Sequence, residues 1–334
     1  MGTEIIANLK ARAAQDVRTI VLPETEDKRM LLAAAQVAQE GFAKVVFIGD
    51  EATVGKTATE LKIKLDGIPV INPGKAEFRE ELVEFVYEKR KSKGLTPDQA
   101  DKWMNECIPF AAAMVATGRA DGYVAGASHA TADVLRPAIQ IIGPKPGVKT
   151  VSSYFIMVSP LKEFGDDGVM FYADCGFVPD PNAEQLAEIA VTTARTARDI
   201  YGYVPRVAML SFSTKGSAQH ALVDKVRKAT ELAKKMAPEI SIDGEMQADA
   251  ALVPQVAAKK APGSPVAGKA NILIFPDLNS GNICYKITER LGSAQALGPV
   301  IQGLAKPAND LSRGCSASDI VGVIAIAAVV AAQP

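Results

Sequence analysis

The sequence predicts an α/β protein built as two open α/β domains with a cleft between them, and three observations carry that expectation. Short apolar runs alternate with amphipathic ones along most of the chain, glycine and proline punctuate the joints, and 334 residues exceed what one hydrophobic core usually fills. TIVLPE, from Thr19 to Glu24, has the pattern of a buried strand, DKRMLLAAAQVAQEG that of an amphipathic helix stopped by Gly41, and KVVFIGD that of the next strand. Together they form a βαβ unit with parallel strands. FREELVEFVYEKRKSKG is then a polar helix, Thr96 and Pro97 supply an N-cap and a first helical position, and Pro109 is expected to open a helix of small residues. YVAGA is a strand, and the residues from Ser128 to Asp133 are expected to cap the helix that follows it. Later strands are VSSYFIMVS, VMFYAD, RVAMLSF and NILIFPD, separated by helices such as NAEQLAEIAVTTARTARDI and ALVDKVRKATELAKKMA. GPKPGVK (Gly143 to Lys149) reads as the first crossover and LGSAQALGP (Leu291 to Pro299) as the return. The first domain is therefore expected to hold residues 1–148 and 300–334, and the second residues 149–299.

Composition excludes several classes of function. A net charge of −1, with 22% charged and 48% hydrophobic residues, argues against disorder, a nucleic-acid partner or an anionic membrane surface. Four cysteines without a CxxC and only two histidines leave no zinc spacing and no disulfide framework, which fits a reducing cytoplasm. MGTEIIANLKARAAQD lacks a signal-peptide core, and the apolar run after Asp319, about 13 residues long, is too short to span a bilayer. A soluble protein is expected. GDEATVGKT has five residues between its glycines where a phosphate-binding P-loop has four, and the glycines of DGYVAGA are spaced GxxxG, so neither is read as a nucleotide site.

Two segments concentrate polar chemistry where a loop runs into a helix. In GPVIQGLAKPANDLSRGCSASD, from Gly298 to Asp319, Ser312 and Arg313 sit between Asp310 and Gly314, and Ser316, Ser318 and Asp319 cap the run IVGVIAIAAVVAA. A helix N-terminus favours anions. In GASHATADVLRPAIQ, the hydroxyls of Ser128 and Thr131 and free backbone N–H groups are expected to suit a phosphate, with Arg136 following on the same helix. His129 has no partner placed by spacing and reads as structural, as does Cys175. Ser213, Thr214, Lys215, Gln247, Asp277, Asn279 and Ser280 lie at strand ends of the second half, where open sheets bind ligands or where loops simply hydrogen-bond to themselves. Lys286 and Arg290, one helical turn apart, either contact phosphate groups of a large ligand or solvate a helix face, and Arg90 in YEKRKSKG is open to the same two readings.

The segment from Gly298 to Asp319 closely resembles the C-terminal motif of phosphate acetyltransferases (phosphotransacetylases). GASHATADVLRPAIQ, YADCGFVPDPNAEQLAEIA, MLSFSTKGSA, DGEMQADAA and FPDLNSGNICYK also resemble that family, so the likeness spans roughly residues 120 to 320. It implies the reversible conversion of acetyl-CoA and phosphate to acetyl phosphate and CoA, on a fold like that of isocitrate and isopropylmalate dehydrogenases. It also implies a homodimer, acetate kinase as metabolic partner, and no metal or redox cofactor, CoA being a substrate. The residues that match are Asp319 as base, Ser312 as oxyanion donor and Arg313 as anion clamp, with Arg136 as a second clamp and Arg90 at a position that contacts CoA. Lys286, Arg290, Ser128 and Thr131 are the further candidates for binding CoA or phosphate.

The base assignment carries an energetic problem. A thiol of pKa near 8.5 lies about 4.6 units above a reference aspartate, which is roughly 6 kcal/mol of unfavourable proton transfer. The competing account needs no base, because forming the thiolate at about pH 7 costs only about 2 kcal/mol, and Asp319 then orients the thiol or a water. Neither His129 nor His220 is spaced to join Ser312 in a triad, so direct transfer in a ternary complex is preferred to an acyl-serine. The alternatives are a phosphate butyryltransferase of the same chemistry and a non-catalytic CoA- or phosphate-binding protein. A decarboxylating dehydrogenase of related fold would need a nicotinamide site and metal-binding aspartates, and neither pattern is evident.

Overall fold

The structure is a computed structural model that describes residues 2–333, and it divides into two compact units, residues 1–146 with 304–334 and residues 147–303. The first unit opens with α1 (Gly2–Ala13), β1 (Thr19–Leu22), α2 (Lys28–Glu40), β2 (Lys44–Ile48), α3 (Glu51–Leu61) and β3 (Val70–Ile71). It continues with α4 (Arg79–Arg90), α5 (Pro97–Trp103), α6 (Cys107–Ala116), β4 (Gly122–Ala125) and α7 (Thr131–Pro137). The second unit holds β5 (Ser152–Val158), β6 (Val169–Ala173), α8 (Ala183–Asp199), β7 (Arg206–Leu210), α9 (Ala221–Met236) and β8 (Ser241–Met246). After α10 (Ala248–Leu252), α11 (Pro254–Lys260), β9 (Ile272–Ile274), α12 (Leu278–Arg290) and β10 (Gln295–Gln302), the chain returns to the first unit as β11 (Ala308–Asp310) and α13 (Ala317–Ala331).

The first sheet has the order β11-β4-β1-β2-β3 and every pairing in it is parallel. Its strands are buried apolar runs, as parallel strands covered by helices require. From β1 the chain moves one way to β2 and β3, while β4 and β11 lie on the other side. The strand order therefore reverses between β1 and β4, the place where open α/β sheets take their ligands. Local chemistry sets the helix ends: Asp27 caps α2 by accepting from the Arg29 N–H, and Gly41 ends it at φ 73°, a left-handed angle that glycine adopts without strain. α13 is apolar all round because it is a core helix, buried from Ile320 to Val329 against α1, α2, β1 and β4. Among the described residues no helix is long and apolar enough to cross a membrane.

The second sheet is mixed, with the order β10-β5-β6-β9-β7-β8; β5 pairs antiparallel with β10 and β6, and the rest is parallel. Three sequence expectations need correction. The return LGSAQALGP is not only a connection, because β10 starts at Gln295 as an edge strand, its register slipping between Leu297 and Val300 around Gly298 and Pro299. A glycine and a proline argue against a strand interior, but an edge strand with a bulge accommodates both. The small-residue helix starts at Cys107, two residues before Pro109, with Glu106 at the cap. Ser128 caps no helix: α7 begins at Thr131 behind Ala130, without a side-chain cap.

Candidate active site

Ser128, Thr131, Ser312, Arg313 and Asp319 lie in the segments that follow β4 and β11, next to the segment after β1, whereas Arg136 and Arg90 sit at the ends of α7 and α4. Glu24 follows β1, is fully buried, and turns its carboxylate into the loop after β4. Oε2 accepts from the N–H groups of Gly126 and Ala127, both at 2.8 Å. Oε1 accepts from the N–H groups of Ser128 at 3.1 Å and His129 at 2.9 Å, with His129 Nδ1 at 2.8 Å. The Ser128 hydroxyl lies 3.1 Å from the same oxygen and 2.9 Å from Glu26 Oε1. The expectation of free N–H groups awaiting a phosphate here is therefore overturned. An internal carboxylate occupies the nest that a phosphate would fill, and Ser128 serves it.

Asp310, the last residue of β11, packs beside that loop. It is 2% exposed, accepts from the Thr131 hydroxyl at 2.6 Å through Oδ2, and leaves Oδ1 without a hydrogen-bond partner. Gly126 makes room for it, since a Cβ at its φ of 107° would collide with Asp310 Oδ1 and come within 2.6 Å of the Leu311 N. Burial pushes the Asp310 carboxyl up to about 6, against the hydrogen bond from Thr131; nearby Glu24 adds to the rise and Arg313 opposes it. Because the native state holds this proton more tightly than the unfolded chain, its stabilising effect is complete below 3.8 and is lost as pH rises through about 6. The span corresponds to about 3 kcal/mol. Asp310→Asn keeps an acceptor for Thr131 and removes the titration, so thermal melts should show a flatter loss of stability over that window; an unchanged slope rejects the assignment.

Beyond Asp310 the chain makes a tight turn closed by the Cys315 N–H donating to the Ser312 carbonyl at 2.9 Å. Ser312 is exposed and its Oγ accepts from the Gly314 N–H at 3.3 Å, which leaves the hydroxyl proton available to a ligand. Ser316 then caps α13, and Asp319 completes a capping box: its Oδ2 accepts from the Ser316 N–H and hydroxyl, both at 2.8 Å. Oδ1 of this exposed carboxylate accepts no hydrogen bond among the described residues. Cys315 is buried between them, and burial pushes its thiol up to about 11, which disfavours a thiolate.

The guanidinium groups of Arg90, Arg136 and Arg313 share one property: among the described residues they are the arginines with neither a hydrogen-bond nor an ion-pair partner. Arg313 projects from the turn after β11, Arg136 from the end of α7, and Arg90 from the end of α4. Arginine elsewhere in the chain is satisfied. Arg79, for example, reaches Asp101 at 2.6 Å and Asn105 at 3.1 Å. Free guanidinium groups suit phosphates, which they grip in a bidentate fork.

In the second unit the strand-end residues mostly satisfy one another. Ser213 donates to Glu245 at 2.8 Å and Lys215 to Asp243 at 2.6 Å, while Asp277 caps α12 by accepting from the Ser280 N–H. Against the opposing effect of burial, hydrogen bonds from Lys215, Ser264 and Lys234 hold Asp243 at about 2. Lys286 is exposed, with Nζ 5.8 Å from the centre of the Tyr285 ring, and Arg290 is exposed beside Glu289 at 3.5 Å. Among the described residues no group of three or more His, Cys, Asp or Glu is placed to hold a metal ion.

Sequence reasoning missed Glu24, Asp310 in its buried role, and Arg29, discussed below. The available signal was the run of carboxylates in PETEDKR directly after the first strand, at the end where parallel sheets place their sites.

A parallel sheet with a strand-order reversal, and an unpaired arginine, an open hydroxyl and an open carboxylate oxygen in the segment after β11, define an open-sheet α/β protein with polar groups free to meet a ligand. The chain belongs to the phosphate acetyl/butaryl transferase family, whose pattern matches residues 4–328. It is 52% identical over 318 residues to a phosphate acetyltransferase of Acetivibrio thermocellus, covering 95% of each chain. A phosphate acetyltransferase of Thermoanaerobacterium thermosaccharolyticum is 53% identical over 325 residues, covering 97% of this chain and 98% of that one. The crystal structure of a phosphotransacetylase from Streptococcus pyogenes superposes with a TM-score of 0.93 at 45% identity, covering 98% of both.

Proposed function

We propose that this chain interconverts acetyl-CoA and phosphate with acetyl phosphate and CoA by direct transfer. The observation that carries the reading is the set of unpaired guanidinium groups, Arg90, Arg136 and Arg313, in a chain whose relatives over nearly full length are named phosphate acetyltransferases. In the thioester-forming direction the CoA thiol gives its proton to Asp319 Oδ1, and its sulfur attacks the carbonyl carbon of acetyl phosphate. The Ser312 hydroxyl donates to the developing oxyanion, an interaction worth about 3 kcal/mol in comparable sites. As the carbonyl re-forms, the bond to the phosphate oxygen breaks and phosphate leaves with the electron pair, held by Arg313. Arg136 is the second clamp on the anion, and Arg90 contacts CoA. Thr131 contributes indirectly, tying α7 to Asp310, and Ser128 does so through Glu24.

Lys286 and Arg290 remain candidates for CoA phosphates on the second unit, Lys286 the stronger because Arg290 already has a carboxylate beside it. α12 also exposes Ile283 and Ile287, and Leu291 follows at the same spacing, 58%, 51% and 83% exposed. This ridge supports a homodimer, which light scattering would read as twice the mass of one chain. Cytoplasmic location and an acetate kinase that consumes acetyl phosphate belong to the same proposal.

The test is release of CoA from acetyl-CoA that depends on added phosphate, followed by thiol detection, with butyryl-CoA in parallel. Phosphate-dependent turnover that favours the acetyl substrate is expected. Preference for butyryl-CoA would make it a butyryltransferase, and binding without turnover a carrier.

A further inference from the structure

Arg29, in the first turn of α2, has all five of its guanidinium N–H groups spent on the loops that carry the candidate site. Nε donates to Asp27 Oδ1 at 3.0 Å, and Nη2 donates to Asp27 Oδ2 at 2.6 Å and to the Ala127 carbonyl at 2.8 Å. Nη1 donates to the carbonyls of Arg313 at 2.8 Å and Cys315 at 2.7 Å. One planar group thus joins the segments after β1, β4 and β11, which lie far apart in the chain. Asp27 fixes its orientation twice over, through two carboxylate oxygens on the guanidinium and as the cap of the helix that carries it. The two carbonyls on Nη1 flank Gly314, in the turn that holds Ser312 and Arg313.

We infer that Arg29 is a positioning residue for the transfer reaction, setting the Ser312–Arg313 turn against the loop after β4 so that hydroxyl and guanidinium meet the reacting group in register. The argument is geometric. A turn containing glycine has several accessible conformations, and two hydrogen bonds from one rigid plane to alternate carbonyls select one of them. Small displacements of such groups are expensive, since about 1 Å of misplacement costs about 10²-fold in rate. Lysine cannot substitute, because an ammonium presents its donors from a single point and cannot span carbonyls on two loops while also meeting a bidentate carboxylate. The inference rests on the acyl-transfer reading above, and it adds a residue that touches neither substrate nor reacting atom.

The experiment compares wild type with Arg29→Lys in the phosphate-dependent CoA-release assay, together with Ser312→Ala and the double variant. For Arg29→Lys, kcat should fall about 10- to 100-fold, the KM for acetyl-CoA should stay within about threefold, and the melting temperature should change by only a few degrees. In the Ser312→Ala background, the same substitution should cost clearly less than it does in wild type, because one of the two groups it positions is already gone. A purely structural role would lower stability and leave the two losses multiplicative. Should Arg29→Lys fail to fold, Asp27→Asn carries the test: it retains the helix cap, offers the guanidinium one oxygen in place of two, and should lower kcat about three- to tenfold at unchanged KM. Wild-type turnover with full kcat in the folded variant, or fully multiplicative losses, overturns the inference alone. A wild type that releases no CoA overturns the acyl-transfer reading and the inference with it.

Discussion

Glu24→Gln should lower the melting temperature by about 10 °C and remove most of the activity. Two backbone N–H groups converge on each oxygen of the buried Glu24 carboxylate, from Gly126 and Ala127 on one and from Ser128 and His129 on the other. A glutamine has the same size but presents one oxygen and one NH2 group. Whichever way it turns, two backbone donors then face another donor. Each unsatisfied buried N–H costs about 1–3 kcal/mol, so the loss is on the order of 4 kcal/mol. In a unit of this size each kcal/mol lowers the melting temperature by about 2–4 °C. The activity loss has a separate origin, because the loop that unravels supplies the Ala127 carbonyl to Arg29 and leads into α7 with Arg136. Calorimetry on the variant decides the matter, and a drop below about 3 °C would show that Glu24 is not the anion that organises this loop.

Asp319→Asn is expected to lower kcat by about 10²- to 10³-fold while KM for CoA moves less than about threefold. The fold should tolerate the change, since an asparagine oxygen can still accept from Ser316 in the capping box. What disappears is the proton acceptor at Oδ1. A loss well below tenfold sinks the base assignment and leaves Asp319 an orienting group. pH provides the second arm: if the variant depends on thiolate formed in solution, its rate should climb toward about pH 8.5, where the thiol is half ionised, and the gap to wild type should narrow. A gap that stays constant with pH would instead indicate that proton transfer is not what the carboxylate contributes.

Several helices, α2, α4, α5, α8, α9 and α13 among them, and most strands were legible in the sequence because their signals are local, whereas α3 (Glu51–Leu61) was not, its polar residues giving no strong apolar face. Asp27 and Gly41 mark the ends of α2, Thr96 with Gln99 forms a capping box on α5, and the run after Asp319 is apolar on every face because α13 is buried on every face. β10 was missed because Gly298 and Pro299 break the strand pattern, and only pairing with β5 shows that an edge strand accommodates them. The short β3 and β11 have too few residues to display any period. In the site, Ser312, Arg313 and Asp319 stood out because they cluster within eight residues. Glu24 and Arg29 could not, since what matters about them is a contact with a segment about 100 residues away or, for Arg29, also with one nearly 290 away.

By itself the sequence determined the α/β class, the residue types that acyl transfer needs, and the helix start on which Asp319 sits, because propensity, capping and hydrophobic period act over a few residues. Only the tertiary structure decided which polar groups are free to meet a ligand. The loop from Gly126 to His129 spends its N–H groups on an internal carboxylate, Arg29 is consumed by carbonyls, and Arg90, Arg136 and Arg313 are left unpaired. Hydrogen-bond donors are used up pairwise across the fold, so availability is a property of three-dimensional neighbours that no local pattern encodes.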